Sequence, residues 1–595
     1  MQKKIQRRSA DYSIESLDGL PSFLSRIYLN RGITSARELE LTLSNLENSR
    51  SIKGLDKAVS LLSEALSKQE KILIVGDFDC DGATSTALAM LVLKHLQADC
   101  TFLVPNRFEY GYGLTPEIVD LAAHEKPQLI VTVDNGISSI EGVNRARELG
   151  IKVLITDHHL PGDTLPSADA IVNPNQPGCE FLSKNAAGVG VIFYVLSGLR
   201  AHLRQEGWFE RANLPELNMA TYLDLLALGT IADLVPLDFN NRILVEQGLR
   251  RIRAGLCRPG IKALLQQAGK DYAQVKASDM GFIVGPRLNA AGRLDDMTIG
   301  ISCLLAESEA EAQELAMRLD QLNQERKQIE HEMKLDADLL LKQLLDTGLQ
   351  DACANNQTST HAATVSERWG VCLYQAHWHQ GVIGILASRI KEKLHRPTII
   401  FAPAEDDPHD IDPVLKGSAR SIPGLHMRDT LDLLAKRHPH LLNKFGGHAM
   451  AAGMSIRLSH FQDFATAFDQ LVREQLNEAD LEAVLLTDGE LAAEERTIAN
   501  ILTLEQAGPW GQNFPEPCFD GIFNVLQSRV LKEKHLKLVL SDQEGQLIDA
   551  IHFNSEWCQQ GLTSQVRVVY RPNVNTFRGK QSLQFFIDYL EAVPR

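Results

Sequence analysis

The 595-residue chain lacks the features that mark several common protein classes. No apolar run reaches the roughly 18 residues that span a bilayer, and no apolar core follows the basic N-terminus, so neither a membrane span nor a secretory signal is expected. The nine cysteines include no CxxC pair, which fits a reducing cytoplasm and argues against a zinc ribbon or a disulfide framework. GxSxG and Walker A sequences are also missing, so no serine-hydrolase or P-loop motif competes with the motifs below.

An excess of positive charge is lacking, since 76 acidic residues outnumber 60 lysines and arginines and the formal net charge is −16. A nucleic-acid-binding protein is more often basic, so the total charge counts modestly against that role. Residues 525–580 run against the trend, with eight basic residues and five acidic ones. The basic residues are Arg529, Lys532, Lys534, Lys537, Arg567, Arg571, Arg578 and Lys580, and the interleaved aromatic residues are Phe553, Trp557, Tyr570 and Phe577.

The segment Lys71–Gly82 (KILIVGDFDCDG) joins an apolar run to three aspartates at alternate positions. The apolar run predicts a buried strand. Asp77, Asp79 and Asp81 at its end would repel one another unless a positive group lies among them. Clustered carboxylate oxygens suit Mg²⁺ or Mn²⁺, so the segment predicts a divalent-metal site.

Two further apolar runs end in the same way. Residues 128–133 are followed by Asp134-Asn135-Gly136, and residues 152–156 by Asp157-His158-His159. Helical patterns between the runs predict βαβ units and a parallel sheet. Because ligands bind outside the carboxyl ends of such strands, we expect the three loops to meet at one edge of the sheet.

Two other interpretations of the aspartate loop are weaker. An EF-hand loop needs Glu at its twelfth position, where this chain has Leu88, and it follows a helix rather than a strand. The aspartates could also simply cap the next helix, since carboxylates are favoured at helix N-termini. Asp233, at the end of an apolar helical segment (221–236), could likewise cap a turn.

The rest of the chain divides by composition. Residues 301–347 contain neither Gly nor Pro and predict one long helix, for which a coiled coil is the alternative. Short β-like runs near the C-terminus predict a small barrel or sandwich. The expected parts are an N-terminal helical extension (1–50), a parallel-sheet α/β domain (51–300), a connecting helix (301–350), a smaller α/β domain (369–460) and an OB-like β-barrel region (470–595).

Taken together and in this order, the motifs resemble the DHH phosphoesterase superfamily and, within it, the RecJ family. The motifs that carry the resemblance are VGDFDCDGATST (75–86), VTVDNG (131–136), TDHH (156–159), ADLVPL (232–237), GPRLNAAGRL (285–294), WHQGVIGILASRI (378–390), GSARSI (417–422), FGGHAMAAGMSI (445–456) and GPWGQNFPEP (508–517). The resemblance covers nearly the whole chain. It implies a DHH domain, a DHHA1 domain and a C-terminal OB-fold.

The resemblance also implies the site residues. The expected metal ligands are Asp79, Asp81, Asp134, His158 and Asp233, with Asp77 and His159 as supporting or phosphate-contacting groups. The expected substrate contacts are Arg107, Tyr112, Arg287, Asn289, Arg293, Ser418, Arg420, Gly447 and His448. Many superfamily members carry His where this chain has Val75, so the number of bound ions stays open.

The implied activity is that of a 5′→3′ exonuclease on single-stranded DNA, with Mn²⁺ or Mg²⁺ as cofactor. The barrel is expected to hold the strand with its aromatic and basic residues. A single-strand-binding protein and a RecQ-type helicase are the partners that the family suggests. Two alternatives stay open: a DHH phosphodiesterase for short oligonucleotides or cyclic dinucleotides, and an inactive protein that only binds single strands.

Overall fold

The computed structural model describes residues 3–9, 17, 19–106, 110, 112–346, 368–404, 410–558 and 562–593. The chain divides into two compact units. The larger unit consists of Gln6–Leu322 and Leu486–Arg595, and the smaller unit of Met1–Ile5 and Asn323–Leu485. In the described ranges, no helix combines the length and the apolar character needed to cross a membrane.

The N-terminal residues are not the helical extension expected from the sequence. They form strand β1 (Lys4–Arg7), helix α1 (Ser22–Leu29) and three short 3₁₀ turns. Phe23, Leu24 and Ile27 of α1 are buried in the main core of the larger unit, whereas β1 begins in the smaller unit. Burial of apolar side chains, rather than continuous helix propensity, determines the structure of this region.

A five-stranded parallel sheet follows, as predicted. The elements are α2 (Leu55–Lys68), β2 (Ile72–Gly76), α3 (Cys80–His95), β3 (Cys100–Leu103), α4 (Pro116–Ala123), β4 (Leu129–Val133), α5 (Ile140–Glu148), β5 (Lys152–Thr156) and β6 (Ala170–Val172). The strands are ordered β3-β2-β4-β5-β6 and every neighbouring pair is parallel. Strands β2 and β4 are buried at every residue, which is why their sequences are continuous apolar runs.

Helices complete this part of the larger unit. They are α6 (Gly188–Gln205), α7 (Trp208–Ala212), α8 (Leu223–Ala232), α9 (Phe239–Arg253), α10 (Pro259–Gln267), α11 (Ala277–Asp279), α12 (Gly285–Leu294) and α13 (Thr298–Leu305). Helix α3 is almost entirely buried because α6 and α8 pack against it. A π-helical turn (Met280–Val284) precedes α12.

The long helix α14 (Glu309–Asp346) begins later than predicted. Its 38 residues correspond to roughly 57 Å of helix. The expected helix from residue 301 is interrupted at Ala306, whose ψ of 129° is extended. Ser308 then starts α14, since its Oγ accepts a hydrogen bond from the backbone N–H of Glu311 (3.2 Å).

The smaller unit contains the predicted second α/β domain. Its elements are β7 (Val371–Tyr374), α15 (Ile383–Leu394), β8 (Thr398–Pro403), β9 (Val414–Arg420), α16 (Met427–Arg437), β10 (Lys444–Gly447), β11 (Ala451–Arg457) and α17 (Phe461–Gln475). The sheet has the order β10-β11-β9-β8-β7, in which only β7 and β8 are parallel among the described strands. Separate apolar clusters cover the two faces of this sheet.

The C-terminal region closes into the predicted barrel. The elements are β12 (Val484–Thr487), which pairs with β1, α18 (Ile498–Gln506), β13 (Phe519–Leu531), β14 (His535–Ser541), β15 (Leu547–His552), β16 (Gln565–Phe577) and β17 (Lys580–Ala592). The barrel strands follow the order β13-β14-β15-β17-β16. Strands β13, β16 and β17 have 13 residues each, so they are longer than the short runs expected from the sequence.

The barrel corrects one expectation about its aromatic and basic residues. Tyr570 is fully buried and stacks on Phe585, with ring centroids 3.8 Å apart, so it fills the barrel and cannot stack on a base. Arg567 and Arg571 pair with acidic side chains of the same region. Phe553 is 49% exposed and therefore accessible to a ligand. The side chain of Phe577 is not among those that the structure describes.

Candidate metal centre

Acidic and imidazole side chains from several segments meet at one edge of the parallel sheet. Asp77 follows β2, Asp134 follows β4 and His158 follows β5, and these three strands are adjacent and parallel. Asp233 joins them from the C-terminal end of α8. The ligand atoms form three overlapping groups, each within 4.8 Å: Asp77, Asp79 and Asp134; Asp81, His158 and Asp233; and Asp134, His158 and His159.

His158 lies at the centre of this cluster. Its Nε2 is 3.1 Å from Asp134 Oδ1, 3.5 Å from Asp233 Oδ2 and 4.0 Å from Asp81 Oδ2. Asp81 and Asp134 are only 1% and 2% exposed, so water cannot fully solvate their charges. The structure therefore brings together all five residues expected to be ligands.

The carboxyl groups of this cluster are costly to ionise in the absence of a cation. Burial, followed by the charge of Asp79, raises the pKa of Asp81 to about 7. Burial and neighbouring carboxylates raise the pKa values of Asp134 and Asp233 well above their usual range. Asp134 Oδ1 and Asp233 Oδ2 are buried and accept no well-formed hydrogen bond from the part of the chain that is described. Carboxylate oxygens with one imidazole form a donor set that fits a divalent ion such as Mn²⁺ or Mg²⁺.

Backbone N–H groups hold two of the three aspartates that follow β2, namely Asp79 and Asp81. Asp79 Oδ1 accepts hydrogen bonds from the N–H groups of Asp81 (2.9 Å) and Gly82 (3.0 Å), so Asp79 caps α3. Capping by Asp79 uses one carboxylate oxygen and leaves the second for a cation, so the cap and the expected metal site are compatible. Asp81 accepts hydrogen bonds from Gly188 (2.6 Å) and Val189 (3.0 Å) at the first turn of α6, where the helix dipole favours an anion.

Two glycines allow the helices to approach these carboxylates closely. A Cβ on Gly188 would lie 2.7 Å from the Cβ of Asp134, and one on Gly229 would lie 2.8 Å from Asp81 Oδ1. Both distances are shorter than real side-chain contacts. Neither glycine is among the site residues expected from the sequence, although a glycine inside an apolar helical run is a signal for such an approach.

Asp157, which belongs to the third of the expected loops but to which the sequence assigns no site role, is a further residue of the site. Its Oδ1 accepts hydrogen bonds from the backbone N–H groups of His158 (2.7 Å) and His159 (3.1 Å) and lies 2.7 Å from His159 Nδ1. Its Oδ2 accepts a hydrogen bond from the N–H of Ile137 (2.9 Å). Burial alone would lower the pKa of His159, but its hydrogen bond and charge interaction with Asp157 raise that pKa to about 9. Asp157 thus orients both histidines and favours the protonated form of His159.

Tyr112 lies beside the cluster, and its ring is half exposed. The hydroxyl donates to the backbone carbonyl of Asp134 (3.2 Å) and lies 3.1 Å from His159 Nδ1. The ring edge contacts Phe78, with centroids 6.2 Å apart. Arg107, the other expected contact in this loop, lies outside the described residues.

The residues expected from the GPRLNAAGRL motif lie on α12. Asn289 Oδ1 accepts a hydrogen bond from the N–H of Cys80 (2.7 Å), so this side chain supports the aspartate loop. Arg287 is 9% exposed and pairs with Asp320 (2.8 Å). Asn289 and Arg287 thus have structural contacts in this chain, and their expected contacts with DNA stay predictions. Arg293, at the end of α12, is half-buried.

The remaining expected contacts lie in the smaller unit. Arg420 Nη1 donates a hydrogen bond to Ser418 Oγ (3.2 Å) on the same strand, β9. A Cβ on Gly384, at the start of α15, would lie 3.0 Å from both side chains. Gly447 has a φ of +142°, which favours glycine, and the N–H of His448 closes the turn between β10 and β11. The structure therefore places Ser418 and Arg420 together at a helix N-terminus.

Comparison with known proteins identifies the family. Three family models match in order: the DHH family N-terminal domain (71–230), the DHHA1 domain (364–474) and the RecJ OB domain (487–589). Single-stranded-DNA-specific exonuclease RecJ of Salmonella typhimurium is 50% identical over 592 residues, which is 99% of both chains. The chain belongs to the RecJ family.

Solved RecJ structures agree with this assignment. RecJ from Thermus thermophilus in complex with Mn²⁺ matches with a TM-score of 0.78 at 27% identity, covering 100% of this chain and 80% of that chain. The Mg²⁺ complex of RecJ from the same organism matches with a TM-score of 0.72 at 26% identity, covering 100% and 78%. The three-domain RecJ fold expected from the sequence is thereby confirmed.

Proposed function

We propose that this chain is a metal-dependent exonuclease that hydrolyses phosphodiester bonds of single-stranded DNA. The observation that carries this proposal is the cluster of buried carboxylates around His158, whose ionisation is opposed by burial and by mutual repulsion. The names of the relatives supply the substrate class. Cleavage from the 5′ end, release of 5′-mononucleotides and a role in DNA repair and recombination rest on the family resemblance.

The proposed ligands are Asp79, Asp81, Asp134, His158 and Asp233. Asp134 belongs to two of the three overlapping groups, which suits a shared ligand if two ions bind. A bound Mn²⁺ or Mg²⁺ lowers the pKa of water and neutralises charge on the attacked phosphoryl group. The chain itself contributes a protonated His159, whose charge attracts the anionic phosphate, and Asp157, which orients both histidines.

Substrate contacts are proposed in both units. The half-exposed ring of Tyr112 suits stacking on a base, which contributes about 1–3 kcal/mol per base. Ser418 and Arg420, with Gly447 and His448, offer donors that suit a terminal phosphate. Arg293 and Arg107 remain proposed phosphate contacts. In the barrel, the exposed Phe553 is the aromatic residue that best fits base stacking.

The family resemblance further suggests a single-strand-binding protein and a RecQ-type helicase as partners, and the cytoplasm as the place of action. The alternative of a small cyclic substrate is less favoured, because such a substrate needs no barrel to hold a strand. The alternative of an inactive binding protein is less favoured because all five expected ligands are present and converge.

The test offers end-labelled single-stranded and double-stranded DNA to the purified protein with Mn²⁺, Mg²⁺ or EDTA. We expect the single strand to be hydrolysed when Mn²⁺ or Mg²⁺ is present. We expect no hydrolysis in EDTA and none of the double strand. Asp134→Ala should abolish hydrolysis while single-strand binding persists, and Asp163→Asn, in an exposed loop, serves as the control. Hydrolysis by Asp134→Ala at the rate of the unsubstituted protein would refute the assignment.

A further inference from the structure

The loop that carries Asp233 is held in an unusual backbone conformation. Asp233 ends α8, and the next residue, Leu234, has a φ of +60°. A branched residue rarely adopts positive φ unless its surroundings enforce it. The loop ends at Asp238, which caps α9 and accepts a hydrogen bond from Ser183 Oγ (2.8 Å). Contacts from outside the loop are therefore needed to keep Asp233 in place.

One of those contacts comes from the C-terminal region. The backbone N–H of Leu237 donates a hydrogen bond to the carbonyl of Gln512 (2.8 Å). Gly511 lies so close to the loop that a Cβ there would be 2.8 Å from Leu237 Cδ1 and 3.6 Å from Ile231 Cδ1. Gly511 and Phe514 form an isolated β-bridge, which makes residues 511–514 a tight hook.

Aromatic packing holds this hook against α1 and α9 of the same unit. Trp510 and Phe514 stack with centroids 5.2 Å apart and an interplanar angle of 15°. Tyr28 of α1 packs on both rings, and the guanidinium of Arg242 lies 4.6 Å from the centre of the Phe514 ring. Phe514 is 3% exposed, so the hook is part of the core rather than a mobile linker.

From these contacts we infer that residues 511–514 position Asp233, so that the segment entering the barrel supports the metal centre. Gly511 and Phe514 are positioning residues in this account, because they act through Leu237 and the loop. The inference rests on the proposed function, since it assigns the hook a role toward the proposed ion. Supporting residues around metal ligands typically change metal affinity about 10–100-fold when altered.

The test compares two glycine substitutions in the full-length protein. Gly511→Ala places a Cβ 2.8 and 3.2 Å from two atoms of Leu237, whereas Gly521→Ala in β13 places one 2.8 and 3.2 Å from two atoms of Phe523. The two changes are thus matched in chemistry and in crowding, but only the first touches the Asp233 loop. Mn²⁺ affinity is measured by electron paramagnetic resonance titration of free Mn²⁺, and folding by thermal denaturation.

We expect Gly511→Ala to weaken Mn²⁺ binding about tenfold or more, while Gly521→Ala retains the affinity of the unsubstituted protein. Adding Leu237→Val, which removes the crowded Cδ1, should restore most of the affinity. If Gly511→Ala does not fold, this double variant and Phe514→Leu carry the test, with Phe585→Leu as the control inside the barrel.

Equal Mn²⁺ affinities for Gly511→Ala and the unsubstituted protein would overturn the inference, as would an equal loss in Gly521→Ala. If the double variant and Phe514→Leu are used instead, normal affinity in Phe514→Leu overturns it. Failure of the unsubstituted protein to bind Mn²⁺ would instead overturn the proposed metal centre, and the inference with it.

Discussion

Gly188→Ala is the substitution whose effect can be worked out most directly from the structure. Gly188 has an ordinary helical position at the start of α6, so alanine adds no backbone strain there. The new Cβ would lie 2.7 Å from Asp134 Cβ, whereas carbon atoms in contact are normally about 3.5 Å apart. Either α6 or Asp134 must therefore move by about 0.8 Å.

The expected consequence is a large loss of activity with a small loss of stability. Overpacking lowers the free energy of unfolding by about 1–3 kcal/mol. Alanine in place of glycine in a helix raises it by about 0.5–1 kcal/mol. The net destabilisation is therefore about 0–2.5 kcal/mol by these figures. A displacement of about 1 Å in a catalytic group can reduce the rate about 10²-fold.

Gly190→Ala provides the matched control, two residues along the same helix. A Cβ at position 190 would lie 3.6 Å from its nearest neighbour, Ala186 Cβ, which is an ordinary contact. The assay measures Mn²⁺-dependent release of mononucleotides from end-labelled single strands, together with thermal denaturation. Retention of full activity by Gly188→Ala would refute the assigned contact between α6 and Asp134.

Two further predictions concern the histidines and the carboxyl groups. Asp157→Asn should reduce the hydrolysis rate about 10–100-fold. It should also lower the pKa of His159 from about 9 toward its usual value, which NMR titration measures. An unchanged pKa of His159 would contradict the role of Asp157. In EDTA, the melting temperature should fall as pH rises from 5.5 to 8. The pKa of Asp81 is about 7 in the folded protein and about 4 in the unfolded chain. Protonation of Asp81 therefore stabilises the folded protein, and this stabilisation is lost as pH rises through 7. Saturating Mn²⁺ should remove this fall, since it binds the deprotonated carboxylates; a melting temperature in EDTA that is independent of pH would contradict the raised pKa of Asp81.

Much of the fold could be predicted because its strands and helices correspond to local patterns of apolar and polar residues in the sequence. Strands β2, β4 and β5 are continuous apolar runs with abrupt polar ends, and their parallel order follows from the helices between them. The convergence of Asp79, Asp134 and His158 follows from the same topology. The break before α14 was less visible, because it depends on the backbone of Ala306 and the cap at Ser308.

The supporting part of the site could not be predicted in the same way. Gly188 matters because α6 passes against Asp134, and that approach depends on how α3, α6 and α8 pack together. Arg287 has the residue type of a phosphate contact, but its pairing with Asp320 joins residues 33 positions apart. Tyr570 has the appearance of a stacking residue, yet the closure of the barrel buries it. Each outcome depends on tertiary packing between distant segments.

The most direct test of the central claim is anomalous X-ray diffraction from crystals of this protein soaked in Mn²⁺. If the buried carboxylates and His158 form a divalent-metal centre, a manganese peak should lie within bonding distance of Asp79, Asp134 and His158. Well-diffracting crystals that show Mn²⁺ only elsewhere on the protein, or nowhere, would contradict the account.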